Sequence, residues 1–120
     1  MSDFKVIFIT APKGKGFEIA RRIVEERLAA CVNVVSGVTS IYWWEGKVQV
    51  DSEELLIVKT KGEAIEKLIE RVKEIHPYTV PEIIAIDITR GNKDYLEWVE
   101  REVASLGGSV TAVSGREGEK

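Results

Sequence analysis

The chain has 120 residues, of which 31% are charged, and a formal net charge of -3, which together predict one domain without the broad basic face that nucleic-acid binding requires. One cysteine, Cys31, excludes an internal disulfide and a thiolate-rich zinc site within one chain, and it favours a reducing compartment. The first residues lack the pattern of a signal peptide and no apolar run reaches the roughly 20 residues of a membrane span, so we expect a cytoplasmic protein without membrane contact.

The first part of the chain predicts a strand followed by a helix. Residues 4–10 form a short apolar, β-branched run that ends in the loop 11–16. In that loop, backbone amides assisted by Lys13 and Lys15 indicate a phosphate site only weakly, because the Walker spacing is absent, and a flexible loop is the alternative. From about Phe17 the pattern has helical period, and Cys31 is expected at the inner end of this helix. Its apolar face carries Ala20, Ile23, Val24, Leu28 and Cys31.

The middle of the chain predicts a long β-hairpin. Residues 32–44 are extended, with a turn or bulge at Ser36 and Gly37, and Glu45-Gly46 forms a two-residue loop. The return strand, residues 47–60, is expected to have a bend or bulge at Asp51-Ser52. Four consecutive apolar residues at 55–58 indicate that both faces of this strand are covered.

A second helix, turn and strand follow. Apolar spacing predicts a helix over 62–75, and Pro77 and Pro81 impose a stiff, extended turn next to His76. Residues 83–88 predict a fourth strand, and Asn92 caps a third helix over 93–104. We therefore expect one domain over residues 1–104. Residues 105–120 form a Gly/Ser-rich tail, in which a short strand over 110–113 is one option.

The element order, βαββαβ plus a helix, predicts an α+β fold of the ferredoxin-like type, with both crossover helices on one face of a four-stranded sheet. The other face is apolar and lacks these helices, so we expect self-association to bury it. The long central hairpin leaves its aromatic tip free to reach another subunit. A doubly wound parallel sheet is disfavoured, because a two-residue loop is too short for a parallel crossover.

Five stretches together resemble the CutA divalent-cation-tolerance family: residues 26–33 (ERLAACVN), 40–47 (SIYWWEGK), 59–60 (KT), 76–83 (HPYTVPEI) and 95–98 (YLEW). They occur in the order found in the family. The resemblance implies a homotrimer similar to the PII nitrogen-signalling proteins, with long hairpins joining neighbouring sheets. It also implies tolerance of copper and other divalent metals without an established enzymatic reaction. The chain departs from the family in the loop 13–16 and in the tail beyond 104.

A copper or zinc site would need Cys31 or His76, the only soft or imidazole ligands in the chain, with Glu82 as an oxygen ligand. Cys31 and His76 each have an alternative role. A lone cysteine on an apolar helix face is usually an inert core residue, and a histidine before a proline serves equally well as a hydrogen-bonding cap. The family resemblance, rather than these residues, implies copper or another divalent metal as the ligand, and we expect no organic cofactor.

Two further groups of residues are candidates for binding. Lys59 ends an apolar strand and needs an anion or solvent, so we place it with Tyr78 and Glu82 in a cleft between subunits. Aromatic side chains at a hairpin end are good interface anchors, and the last helix has an unusually wide apolar face. The predicted oligomer interface comprises Tyr42, Trp43, Trp44, Glu45 and Trp98.

Two functions follow from these features. The first is a trimeric metal-tolerance protein without catalysis, because a single histidine beside a proline supports no catalytic triad. The alternative is a PII-like regulatory module that binds a small anion or a partner protein at the subunit cleft. The only side-chain amides are Asn33, Gln49 and Asn92, a scarcity typical of proteins that work at high temperature.

Overall fold

The structure is a computed structural model and describes residues 3–105. Its four strands form one antiparallel sheet in the order β2-β3-β1-β4, which confirms the ferredoxin-like α+β prediction. Within residues 3–105 no helix is long and apolar enough to cross a membrane. The expected tail from residue 106 onwards, with its optional strand, lies outside the described residues. The elements are β1 (Phe4–Pro12), α1 (Gly16–Glu25), β2 (Cys31–Trp44), β3 (Lys47–Lys61), a 3-10 turn (Gly62–Ala64), α2 (Ile65–Ile75), β4 (Ile83–Asp87) and α3 (Lys93–Glu102).

The main core lies between α1, α2 and one side of the sheet, which we call the helix face. Successive side chains of a strand point to opposite sides, so alternate residues of β1 and β3 enter this core. Both crossover helices cover the same face, as predicted. Val24, which we expected in the core, is 37% exposed because α1 ends next to it. The largest fully buried side chains of this core are Ile7, Ile9, Ile23, Leu56, Val58, Leu68 and Val72.

Helix α1 ends earlier than its apolar pattern suggests. Arg27 adopts a left-handed φ of 62°, and the amide of Leu28 donates to the carbonyl of Ile23 at 2.9 Å. This is the hydrogen-bond pattern of a Schellman helix end. The Arg27 guanidinium, which pairs with Glu102 at 2.6 Å, ties this helix end to α3. The prediction that Cys31 closes the first helix is therefore wrong, because Cys31 is the first residue of β2.

The opposite side of the sheet, which we call the open face, is only partly covered. Helix α3 packs over one end of it, where Phe4, Val99 and Val103 form a second apolar cluster. Lys61 is 2% exposed and reaches from β3 to a Glu100 carboxylate oxygen at 3.2 Å. Elsewhere the open face keeps apolar side chains at the surface. Those with 40–49% exposure are Val35, Ile84 and Ile86.

The strands β2 and β3 continue beyond the rest of the sheet as a two-stranded arm, residues 39–52. The arm arises because β1 pairs with β3 only as far as Pro12 opposite Glu53. At its tip Glu45 and Gly46 have φ of 50° and 78°. Positive φ at both positions is what a type I′ turn requires, so the predicted two-residue hairpin loop is confirmed.

One irregularity lies at the base of the arm. The pairing of β2 with β3 shifts between Val35 and Val38, where Gly37 has a φ of 78°. This is the predicted bulge. The interruption of β3 expected at Asp51-Ser52, a bend or bulge, is wrong, since β3 is continuous there and both residues pair in register with β2.

Replacing Glu45 with asparagine is expected to stabilise the protein by about 0.5–1 kcal/mol. A left-handed backbone is costly for most side chains, whereas asparagine tolerates it and Asn-Gly is the favoured type I′ pair. Urea denaturation at a fixed protein concentration measures the change in unfolding free energy. Glu45→Ala is the matched control and should give no gain. An equal gain in both variants would mean that the removed carboxylate, rather than the turn, is responsible.

Candidate functional site

A cavity of about 670 Å³ opens between the arm and the proline turn that precedes β4. Its volume falls in the range of small-molecule sites. The arm and β3 supply one wall and the turn supplies the other. The cavity therefore brings together the predicted Tyr78 and Glu82 with residues of the hairpin. The residues that line it include Tyr42, Trp44, Glu53, Tyr78, Val80 and Glu82.

His76 is positioned by the proline that follows it. As the C-cap of α2 it has φ -80° and ψ 137°, the extended conformation favoured before proline. Its ring is 7% exposed. Nε2 donates to the Thr10 carbonyl oxygen at 2.7 Å, and Nδ1 accepts from the Tyr78 amide at 3.0 Å. Both ring nitrogens are thus bonded inside the chain, and a metal ion reaches His76 only by displacing one of these partners.

Tyr78 connects the turn to β3. Its hydroxyl donates to Glu53 Oε2 at 2.7 Å, and its ring lies 4.9 Å from that of His76. Burial, and secondly the bond to Glu53, raise the pKa of the Tyr78 phenol. On the arm, the Tyr42 hydroxyl donates to Asp51, and this bond raises the pKa of Tyr42. The two phenols therefore stay protonated at neutral pH and act as donors to carboxylates.

Replacing Tyr78 with phenylalanine is expected to lower the unfolding free energy by about 1.5–3 kcal/mol at neutral pH, because the buried Glu53 carboxylate loses its donor. The pKa of Tyr78 is raised in the folded state, so its contribution is complete below about pH 10, the usual tyrosine pKa, and declines above it. Denaturation at pH 8 to 11 should show a steeper decline in the wild type than in Y78F. The stability of Y78F should still decline somewhat over this range, because the pKa values of Tyr42 and Tyr95 are also raised. Parallel curves for the two proteins would contradict the assignment to Tyr78.

The three predicted metal ligands do not come together within one chain. Cys31 lies opposite Lys59, whereas Thr10, the partner of His76, lies opposite Leu55. Lys59 and Leu55 are roughly 14 Å apart along β3, at about 3.4 Å per residue, and this distance separates Cys31 from the partner of His76. The Cys31 thiol instead contacts Tyr95. Burial is the main cause that raises the pKa of the Tyr95 phenol, and the Cys31 thiol adds to it. Within residues 3–105 no group of three or more His, Cys, Asp or Glu side chains is arranged to hold a metal ion.

Lys59 lies away from the cavity. Its ammonium group donates to Asn33 on the neighbouring strand and to the Ile57 carbonyl oxygen at 3.1 Å. Tyr78 and Glu82 line the cavity, but Lys59 is not among its lining residues. Within a single chain, the structure therefore brings together only two of the three residues predicted for the cleft.

Sequence reasoning missed Glu53. The signal was available, because Glu53 and Glu54 precede a strand covered on both faces and must point to opposite sides. Glu53 enters the cavity and is 6% exposed. Glu54 accepts from the amides of Gly14 and Gly16, at 3.0 and 2.8 Å. The amides considered for a phosphate are thus already bonded to a carboxylate of the chain.

The predicted interface residues divide into three groups. Tyr42 and Trp44 face the cavity, and Glu45 forms the turn at the arm's tip. Trp43 points to the other side of the arm and is 73% exposed. Trp98 packs within its own chain, against the second apolar cluster, which contains Val99 and Val103, and its ring lies 5.5 Å from that of Tyr95.

Residues 5–102 match the family described as CutA1 divalent ion tolerance protein. The chain belongs to the CutA family. The divalent-cation tolerance protein CutA of Thermus thermophilus is 56% identical over 96 residues, which are 79% of this chain and 93% of the relative. Protein CutA 1, chloroplastic, of Oryza sativa is 53% identical over 96 residues, again 79% of this chain but 54% of the relative. The chain thus spans about half the length of this plant relative.

Solved CutA structures share the fold. CutA1 from Oryza sativa superposes with a TM-score of 0.85 at 48% identity, covering 88% of this chain and 97% of that one. The divalent cation tolerance protein from Thermus thermophilus gives a TM-score of 0.82 at 53% identity, covering 84% of this chain and 99% of that one. These matches confirm the family and the ferredoxin-like architecture inferred from the sequence.

Proposed function

We propose that this CutA protein acts as a homotrimer in the tolerance of copper and other divalent cations, without catalysing a reaction. The observation that carries the proposal is the match to the divalent ion tolerance family across residues 5–102. The Thermus thermophilus relative, with which it shares 56% identity, bears the same functional name. The anion-binding alternative is not favoured, because the part of the chain that the structure describes places no lysine or arginine in the cavity lining.

Self-association is supported by the apolar arm patch, which we define as Ile41, Trp43, Val48 and Val50. Ile41 lies opposite Val50 and Trp43 opposite Val48, so all four occupy one side of the arm. Their exposed fractions are 68%, 73%, 55% and 63%, in the order given. A contiguous apolar surface of this kind usually marks a protein interface. Together with the uncovered part of the open face, it favours burial against further copies of the chain.

The proposed ligands remain Cys31, His76 and Glu82. Glu82 is an exposed carboxylate at the cavity, and Cys31 is a half-buried thiol on the open face. A thiolate suits copper and zinc better than a harder cation. Since one chain assembles no three-ligand site within residues 3–105, the proposal is that ligands from more than one copy meet the cation.

Calorimetric titration of the tag-free, assembled protein with copper and with zinc tests the ligand assignment. We expect binding of fixed stoichiometry per chain, weakened about tenfold or more in C31S and in E82Q. Glu25→Gln, an exposed change on α1, is the matched control and should bind as the wild type does. Both metals are needed, because copper binds most sites more tightly than other first-row metals do. Weak binding that no substitution alters would contradict these ligands.

We propose the cytoplasm as the location, with divalent metal ions rather than nucleic acid or membrane as partners. The single cysteine and the slightly acidic composition support this assignment. The rice relative is named as chloroplastic, so the family also occurs in an organelle. High thermal stability is proposed from the scarcity of side-chain amides.

A further inference from the structure

The cavity between the arm and the proline turn contains a buried carboxylate without a cationic partner among residues 3–105. Glu53 is 6% exposed, and its hydrogen bond comes from the neutral hydroxyl of Tyr78. Every salt bridge found among residues 3–105 involves another carboxylate. Removing a carboxylate from water without a counter-charge is costly. A positive charge on a bound ligand would offset this cost.

Further carboxylates near Glu53 increase the negative charge of the cavity. Glu82 lines the same cavity, and Asp51 accepts from Tyr42 at its margin. Among the described residues that line the cavity there is no lysine or arginine. Carboxylates in a cleft with low-dielectric walls concentrate a negative potential there, which attracts cations and repels anions.

The walls of the cavity also suit the apolar part of a ligand. Tyr42, Trp44 and Tyr78 contribute aromatic rings, and Val80 contributes an apolar side chain. Aromatic faces attract ammonium and guanidinium groups as well as hydrocarbon. At about 670 Å³ the cavity is far larger than a bare metal ion needs, and its acidic residues do not form a metal cluster of three or more within residues 3–105.

We propose that this cavity binds a small organic cation, namely a primary ammonium or guanidinium group on an apolar arm. The charged group pairs with Glu53 deep in the cavity, and Glu82 adds a second carboxylate. The apolar arm packs on the aromatic walls. Glu82 belongs to both proposed sites, whereas Cys31 is a ligand only in the metal proposal and Glu53 only in this one. C31S and E53Q therefore distinguish failure of the metal proposal from failure of this one.

The test is a calorimetric titration of the full-length, assembled protein with 2-phenylethylammonium chloride. Two matched probes of nearly the same shape are titrated alongside: neutral 2-phenylethanol and anionic 3-phenylpropionate. We expect one ammonium ion per chain, bound about tenfold or more tightly than the alcohol, with no binding of the carboxylate. Glu53→Gln keeps the size of the side chain and removes its charge, and should weaken ammonium binding at least about tenfold.

Two further variants separate a binding effect from a folding effect. Glu82→Gln changes an exposed residue and should weaken binding by about two- to fivefold while leaving the melting temperature unchanged. Glu25→Gln on α1 should bind as the wild type does. Equal affinity for alcohol and ammonium, or preferential binding of 3-phenylpropionate, overturns the proposal. It is also overturned if the wild type binds no ammonium while E53Q reduces the oligomer mass, since the counter-charge then comes from a second copy.

Discussion

Replacing Trp43 and Val48 together with serine is expected to convert the assembled protein into monomers at micromolar concentration. These two residues face each other across the arm and are 73% and 55% exposed in a single chain. Burying two side chains of this size contributes roughly 3–6 kcal/mol per copy. Losing that contribution weakens association by about 10²- to 10⁴-fold. Multi-angle light scattering and sedimentation velocity measure the mass directly.

A matched control lies elsewhere on the surface. Phe17 on α1 is 67% exposed, and Phe17→Ser removes a similar aromatic surface without touching the arm. We expect this variant to keep the wild-type mass, and circular dichroism should show native secondary structure in both proteins. A Trp43/Val48 double variant that keeps the wild-type mass would show that the apolar arm patch is not the interface.

Replacing His76 with alanine is expected to lower the unfolding free energy by about 2–4 kcal/mol. The substitution leaves the Thr10 carbonyl and the Tyr78 amide without their partner and opens a void beside the cavity. It also removes the contact that orients the Tyr78 ring. Denaturation of metal-free protein at a fixed concentration measures the effect and keeps ligand binding out of the comparison.

The control for His76 is Thr79→Ala, a change in the same turn at an exposed position, for which we expect a loss under about 0.5 kcal/mol. If metal-free H76A is as stable as the wild type, the ring is not a structural cap. A stability loss that appears only when copper is present would instead identify His76 as a ligand.

Periodicity predicted most of the fold. The change from alternating to helical spacing near Phe17, and the apolar stripe from Ile65 to Ile75, each reflect a face that one element buries against another. Local turn chemistry was equally informative. Asn92 accepts from the Asp94 amide at 2.9 Å as the predicted N-cap, and Glu45-Gly46 forms the expected turn.

Two features depend on contacts between distant parts of the chain and so left no local signal. Helix α1 stops because Arg27 takes a left-handed conformation that Glu102 helps to hold, and no glycine or proline marks this end. The pairing of Glu53 with Tyr78 joins residues separated by 25 positions. Propensity and period describe neighbours along the sequence, whereas the cavity is built by strands and a turn that meet only after folding.

The sequence predicted the positions of some candidate site residues better than those of others, for the same reason. Tyr78 and Glu82 were found because two prolines fix the turn that carries them. Cys31 and His76 were grouped by ligand chemistry alone, and the register of the sheet places them far apart in one chain. The aromatic run at 42–44 was recognised as one unit, yet strand alternation divides it between the cavity and the apolar arm patch.

The arm also has consequences for how newly made chains reach their final state. Beyond the end of β1, both of its strands present backbone edges without a neighbouring strand among residues 3–105. Such edges recruit other strands indiscriminately. The hairpin joins segments that are adjacent in sequence, so we expect it to form before β4 completes the sheet. Correct assembly and aggregation therefore compete for the same exposed strand edges, and the refolding yield depends on which of these two processes is faster.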